Sequence, residues 1–253
     1  MRQSFWASAA LQVRLLTRQP DSVAPLLVTP LYAIALFGFL HHSGKSSVGS
    51  SVFVASILMT LWSTVVFVGA DMVDDDRHEG VLELVEASGT GYLTFLAGRI
   101  ATAAALTSPA IVFVSLLAWL FGVRVPVHSP AVLVLDVLGS WACCVGVGIA
   151  LACLLAMSRS ARNYQNVLTY PFYVLGGILV APSALPAHLG AVAPVVFLSH
   201  SAAAARAGLT GTGPQWAPLG WLYLLAVLHF GIAVLAVRYV RRRLKVLGTA
   251  SYA

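Results

Sequence analysis

Six apolar stretches organise this chain, at residues 22–40, 52–73, 100–122, 132–157, 164–181 and 218–240. Each approaches the roughly 20 residues that a helix, rising ~1.5 Å per residue, needs to cross the hydrocarbon of a bilayer. Backbone polar groups inside a bilayer must be satisfied within the segment itself, so the crossing pieces must be helices. Charged residues supply 9% of the chain, against about 25% in an ordinary soluble domain, too few to cover a water-facing surface. The expected fold is all-α: a polytopic membrane protein with six transmembrane helices. Residues 1–253 are expected to form one membrane domain, with no room for a separate soluble one. The fifth stretch is short and carries Pro171, Gly176 and Gly177, so a kinked helix held by its neighbours is expected there.

Arginine and lysine fix the orientation. With six spans and both termini inside, twelve of the fifteen basic residues lie on the cytoplasmic side. Lys45, Arg124 and Arg206 are left outside, a clear positive-inside bias. Residues 1–21 do not read as a signal peptide, because Arg14 and Arg18 interrupt any apolar core. On a helical wheel Phe5, Trp6, Ala9, Val13 and Leu16 share one face, with Arg14 and Arg18 opposite. This segment is expected to lie as an interfacial helix on the anionic cytoplasmic leaflet. Residues 185–209 are apolar enough to suggest a seventh span, but Pro186 and Pro194 break the run, and a crossing there would send Arg241, Arg242 and Arg243 outside. Two short helices dipping into the outer leaflet are expected instead, as a re-entrant hairpin before the last span.

Charge collects in one place. Seven of the nine carboxylates fall between Asp71 and Glu86, on the cytoplasmic side of the second span. Placed on a helix, Glu79, Glu83 and Glu86 occupy a narrow arc, while Val81, Leu82, Leu84 and Val85 cover the other side. An acidic face binds anionic headgroups poorly, so this amphipathic helix is expected to meet a protein. A solvated loop helix that only satisfies topology is the plainer alternative.

The layout resembles the permease subunits of ABC-2-type ABC transporters. The segment Arg77-His78-Glu79-Gly80-Val81-Leu82-Glu83-Leu84-Val85 is similar to that family's R-x-x-G-T-L-E-x-L coupling segment, with Val81 where Thr is common. The amphipathic N-terminal helix, the kinked fifth span and the hairpin before the last span fall in the same order as in the family. The resemblance implies a half-transporter: two permease subunits, identical or paralogous, above two separate ATPase subunits. It also implies that Arg77, Glu79, Gly80, Leu82, Glu83 and Leu84 form the ATPase-coupling surface of residues 71–99, with Arg14 and Arg18 on the N-terminal helix beside them. No cofactor is then expected in this chain, ATP and Mg belonging to the partner ATPase. The resemblance implies export but does not choose a substrate. The Leu-, Val- and Ala-rich spans with their aromatics suit an amphiphilic drug-like or lipid substrate, and the Ala- and Val-rich, Lys-poor composition suggests a bacterial cytoplasmic membrane.

Other features weigh against competing functions. Residues His42-Ser43-Gly44-Lys45-Ser46 end like a phosphate-binding loop, yet Phe39 stands where that pattern needs glycine, so no nucleotide site is expected. The net charge of +6 sits at membrane edges and forms no stripe, which argues against nucleic acid. The seven histidines lack metal-ligand spacing, and Cys143, Cys144 and Cys153 read as small packing residues. His229, near the middle of the last span, and Asp136, about a turn inside the fourth and able to reach water or Arg124, are candidates for the pathway or for helix contact. Ala142, Gly146 and Ala150 form a small-residue ridge on the fourth span. A secondary ion- or proton-coupled transporter, or a membrane anchor that docks a soluble partner, are the alternatives.

Overall fold

The computed structural model describes residues 2–18, 24–43, 48–78, 80–81, 84–85, 91–155, 161–180 and 185–247. Among these residues the regular structure is helical: α1 (Arg2–Arg18), α2 (Ala24–Ser43), α3 (Gly49–His78), α4 (Tyr92–Ala105), α5 (Ser108–Leu120), α6 (Pro130–Leu155), α7 (Ala161–Leu175), α8 (Ala187–Val192), α9 (Phe197–Thr210) and α10 (Trp216–Leu247). Among the described residues four segments are long and apolar enough to cross a membrane: Gly49–Gly69, Tyr92–Leu120, Pro130–Leu154 and Trp216–Val240. Leu31–His42 within α2 is a shorter apolar helix.

The second, third, fourth and sixth expected stretches overlap these four spans, and the third and fifth are interrupted. The third is not one straight helix. It breaks between α4 and α5, where Pro109 removes a backbone donor and the Thr107 hydroxyl takes the carbonyl of Ala104 at 2.6 Å. The fifth does not kink and continue: α7 carries Pro171 inside it and stops at Leu175 after 15 residues, about 22 Å of helix. Gly177 follows at φ +64°, and the Arg206 guanidinium on α9 donates to its carbonyl. Beyond it, Pro186 caps α8, Pro194 lies in a single 3-10 turn, and the α8 segment meets α9 at a bend of 85°. Taken as one piece, this bent pair would be a fifth crossing.

Packing explains the order. The main core gathers α3, α4, α6, α9 and α10, and a smaller cluster joins Phe37 of α2 to Val114 and Leu117 of α5. Trp62 of α3 sits at the centre, stacked on Phe172 of α7 at 4.4 Å and tilted against Phe197 of α9 at 5.9 Å. Helix α3 tolerates polar residues here because they bond to its own backbone: Ser56 to the Val52 carbonyl, Thr60 to Ser56 and Ser63 to Thr60. The ridge on α6 lets α10 approach closely, since a side chain at Gly146 would meet the His229 backbone at 2.9 Å. Cys143 fits the same seam and donates to the Leu222 carbonyl at 3.3 Å.

Candidate functional site

The acidic stretch begins as helix rather than loop. Helix α3 runs nine residues past its apolar part and carries Asp71, Asp74, Asp75 and Asp76 on that extension, ending at His78. Gly80 then adopts φ +70°, a left-handed conformation that suits glycine and turns the chain. Beyond it the Leu84 amide bonds to the Gly80 carbonyl at 3.3 Å, the spacing of a helical turn. Val81 is half-buried against the core and Val85 is buried in it, whereas Leu84 is 71% exposed. The apolar side expected to cover one face is therefore divided: two valines anchor the turn and one leucine faces outward. Glu79, Leu82, Glu83 and Glu86 lie outside the described residues, as does the Gly44–Lys45 pair. Arg77 belongs to α3.

One guanidinium fastens three helices beneath this turn. Arg99 of α4 forms a buried ion pair with Asp76 of α3, and its Nε donates to Oε1 of Gln12 on α1 at 2.9 Å. The guanidinium also stands 5.4 Å from the Phe95 ring centroid, one turn back on α4. Arginine suits this place because its planar fork serves several acceptors at once. Gly98 beside it lets α1 lie almost in contact: a Cβ there would meet Ser8 Oγ at 2.2 Å and the Phe5 carbonyl at 2.7 Å.

Helix α1 thus docks through its polar edge. Ser8 and Gln12 are buried, one turn apart, while Trp6 and Val13 of the expected apolar face remain exposed, and Arg14 is also exposed. Arg18 ends the helix. Of the apolar stripe that the wheel predicts, Trp6 and Val13 are exposed while Phe5 and Ala9 are half-buried.

The two intramembrane candidates sit far from this turn. Asp136 of α6 is 4% exposed and accepts a hydrogen bond from Ser201 of α9 at 3.2 Å, in a cluster where Ser140 bonds Ser201 at 2.8 Å. It forms an interhelical polar contact and makes no ion pair with the exposed Arg124. His229 of α10 is half-buried and meets the Phe197 ring edge-on at 6.1 Å. Among the described residues no group of His, Cys, Asp and Glu side chains could hold a metal ion.

Long apolar helices, with a helix docked by polar contacts at one end of them, define a multi-pass membrane protein. A family model described as ABC-2 type transporter matches residues 3–210, from α1 through α9. The chain belongs to the ABC-2 type transporter family and is a permease component of an ABC transporter, not itself catalytic. Helix α10 lies beyond the matched range. No curated protein matches the chain.

Proposed function

We propose that this chain is the membrane half of an ATP-driven exporter in the bacterial cytoplasmic membrane, moving an amphiphilic drug-like or lipid substrate outward. Two permease copies, or this chain with a paralogue, pair above two ABC ATPase subunits that hold ATP and Mg. Both termini and the 71–99 segment face the cytoplasm, and the bent α8–α9 pair is a re-entrant hairpin on the outer side. Arg77, Glu79, Gly80, Leu82, Glu83 and Leu84 form the surface that receives the ATPase, with Arg14 and Arg18 at its edge.

The observation that carries this reading is the turn at Gly80–Val85. It presents Leu84 outward while Val81 and Val85 hold it on the core. A leucine held outward on a rigid turn is a contact in search of a partner. Because Asp76, Arg99 and Gln12 tie α3, α4 and α1 together next to it, a push on the turn reaches three helices as one body.

Affinity purification in mild detergent from the native host tests the reading. A P-loop ATPase recovered in near one-to-one ratio, and lost with Leu84→Glu, supports it. Recovery of the intact permease without an ATPase contradicts it.

A further inference from the structure

At the end of the bundle opposite the Asp76–Arg99 pair, a cavity of about 880 Å³ opens between α3, α5, α6 and α9. Its size falls within the roughly 300–1,000 Å³ of sites that take small organic molecules. The wall is apolar, with Ile57 and Leu58 from α3, Trp119 from α5 and Leu209 from α9. Asp136 and Arg124 are the charged side chains on it.

These two differ in kind. Arg124 is exposed on the connection between α5 and α6, where water can solvate it. Asp136 is buried, and Ser201 satisfies one of its oxygens. The other, Oδ1, is buried with no hydrogen-bond partner, and no cation among the described residues pairs with the carboxyl. A buried carboxyl with an unused acceptor is costly, and such a group calls for a partner that arrives from outside. Here the space beside it is apolar and large enough for an organic molecule.

We propose that this cavity binds amphiphilic amines, with the apolar body against Ile57, Leu58, Trp119 and Leu209 and the ammonium on Asp136. Asp136 accepts the N–H of the ligand while Ser201 holds the carboxyl in place. Arg124, of the same charge as the ligand, opposes binding and limits the site to a cation whose charge lies at Asp136. The proposal deepens the exporter reading by naming a substrate class. Binding needs no ATPase, so failure here leaves that reading standing, and failure to recover an ATPase leaves this site standing.

The test uses the full chain, purified with whatever accompanies it and placed in lipid nanodiscs. Dansylcadaverine, an amphiphile with an apolar fluorescent body and a primary ammonium, is titrated by fluorescence anisotropy, with empty nanodiscs subtracted. Saturable binding is expected, weakened about tenfold or more by Asp136→Asn, which keeps the shape and removes the charge. Arg124→Glu, on an exposed residue, is expected to strengthen it and decides the matter even if Asp136→Asn fails to assemble. Unchanged affinity in both variants overturns the proposal. So does weaker binding with Arg124→Glu, which would mark a ligand carrying a negative group.

Discussion

Arg99 and Asp76, 23 residues apart in sequence, form a buried ion pair where α1, α3 and α4 converge. Removing Asp76 leaves the Arg99 guanidinium buried without its carboxylate, a cost of about 3–5 kcal/mol. Asp76→Leu is therefore expected to lower the unfolding midpoint sharply in detergent. The double variant Arg99→Met with Asp76→Leu should recover most of the loss, because an apolar pair avoids the stranded guanidinium. A double variant no better than the worse single one would contradict this.

Gly98 sets how closely α1 can lie. The Phe5 carbonyl, 2.7 Å from where a Cβ would stand, is backbone and cannot move unless α1 moves. Gly98→Val is expected to lift α1 while the other helices stay packed. Trypsin should then cut at Arg14 or Arg18 faster than in the wild type, with the remaining fragment intact. Unaltered cleavage would show that α1 is not held at this contact.

Close packing of α6 on α10 depends on Gly146, which faces the His229 backbone. Gly146→Leu should destabilise by about 1–3 kcal/mol or more through overpacking. Gly220→Leu on the same α10, where nothing lies within 4 Å, should be near neutral. Thermal unfolding of the two variants side by side distinguishes a local clash from a general intolerance of bulk.

Leu84 and Val85 are adjacent yet play opposite parts. Leu84→Ala should change stability by less than about 0.5 kcal/mol, as exposed substitutions do. It should nevertheless weaken recovery of an ATPase. Val85→Ala, in the core, should cost about 1–3 kcal/mol. If both variants lower stability equally, Leu84 is not the outward residue of the turn.

Long apolar stretches carry their own signal, which is why the regions of α3, α6 and α10 were readable from composition and run length. The family resemblance, to which residues 77–85 contributed, was readable too, and the match over residues 3–210 bears out the family. What escaped depends on contacts between distant residues. Arg99 reads as one more cytoplasmic positive charge until Asp76 and Gln12 come beside it. A wheel for α1 marks Trp6 and Val13 as its sticky face, but Ser8 and Gln12 make the contact because Gly98 and Arg99 oppose them. Asp136 reads as near water, and Ser201 on a distant helix buries it. The break before α5 was different: Pro109 marked it in the sequence, and the length of the apolar run obscured it.

The most direct test of the coupling surface places a photoreactive residue, p-benzoylphenylalanine, at Leu84 and separately at Val85, and irradiates native membranes. An adduct between position 84 and a P-loop ATPase, absent from position 85, is the result expected of an exporter permease driven through this turn. Adducts from position 84 to lipid alone, in membranes where the ATPase is present, would contradict it.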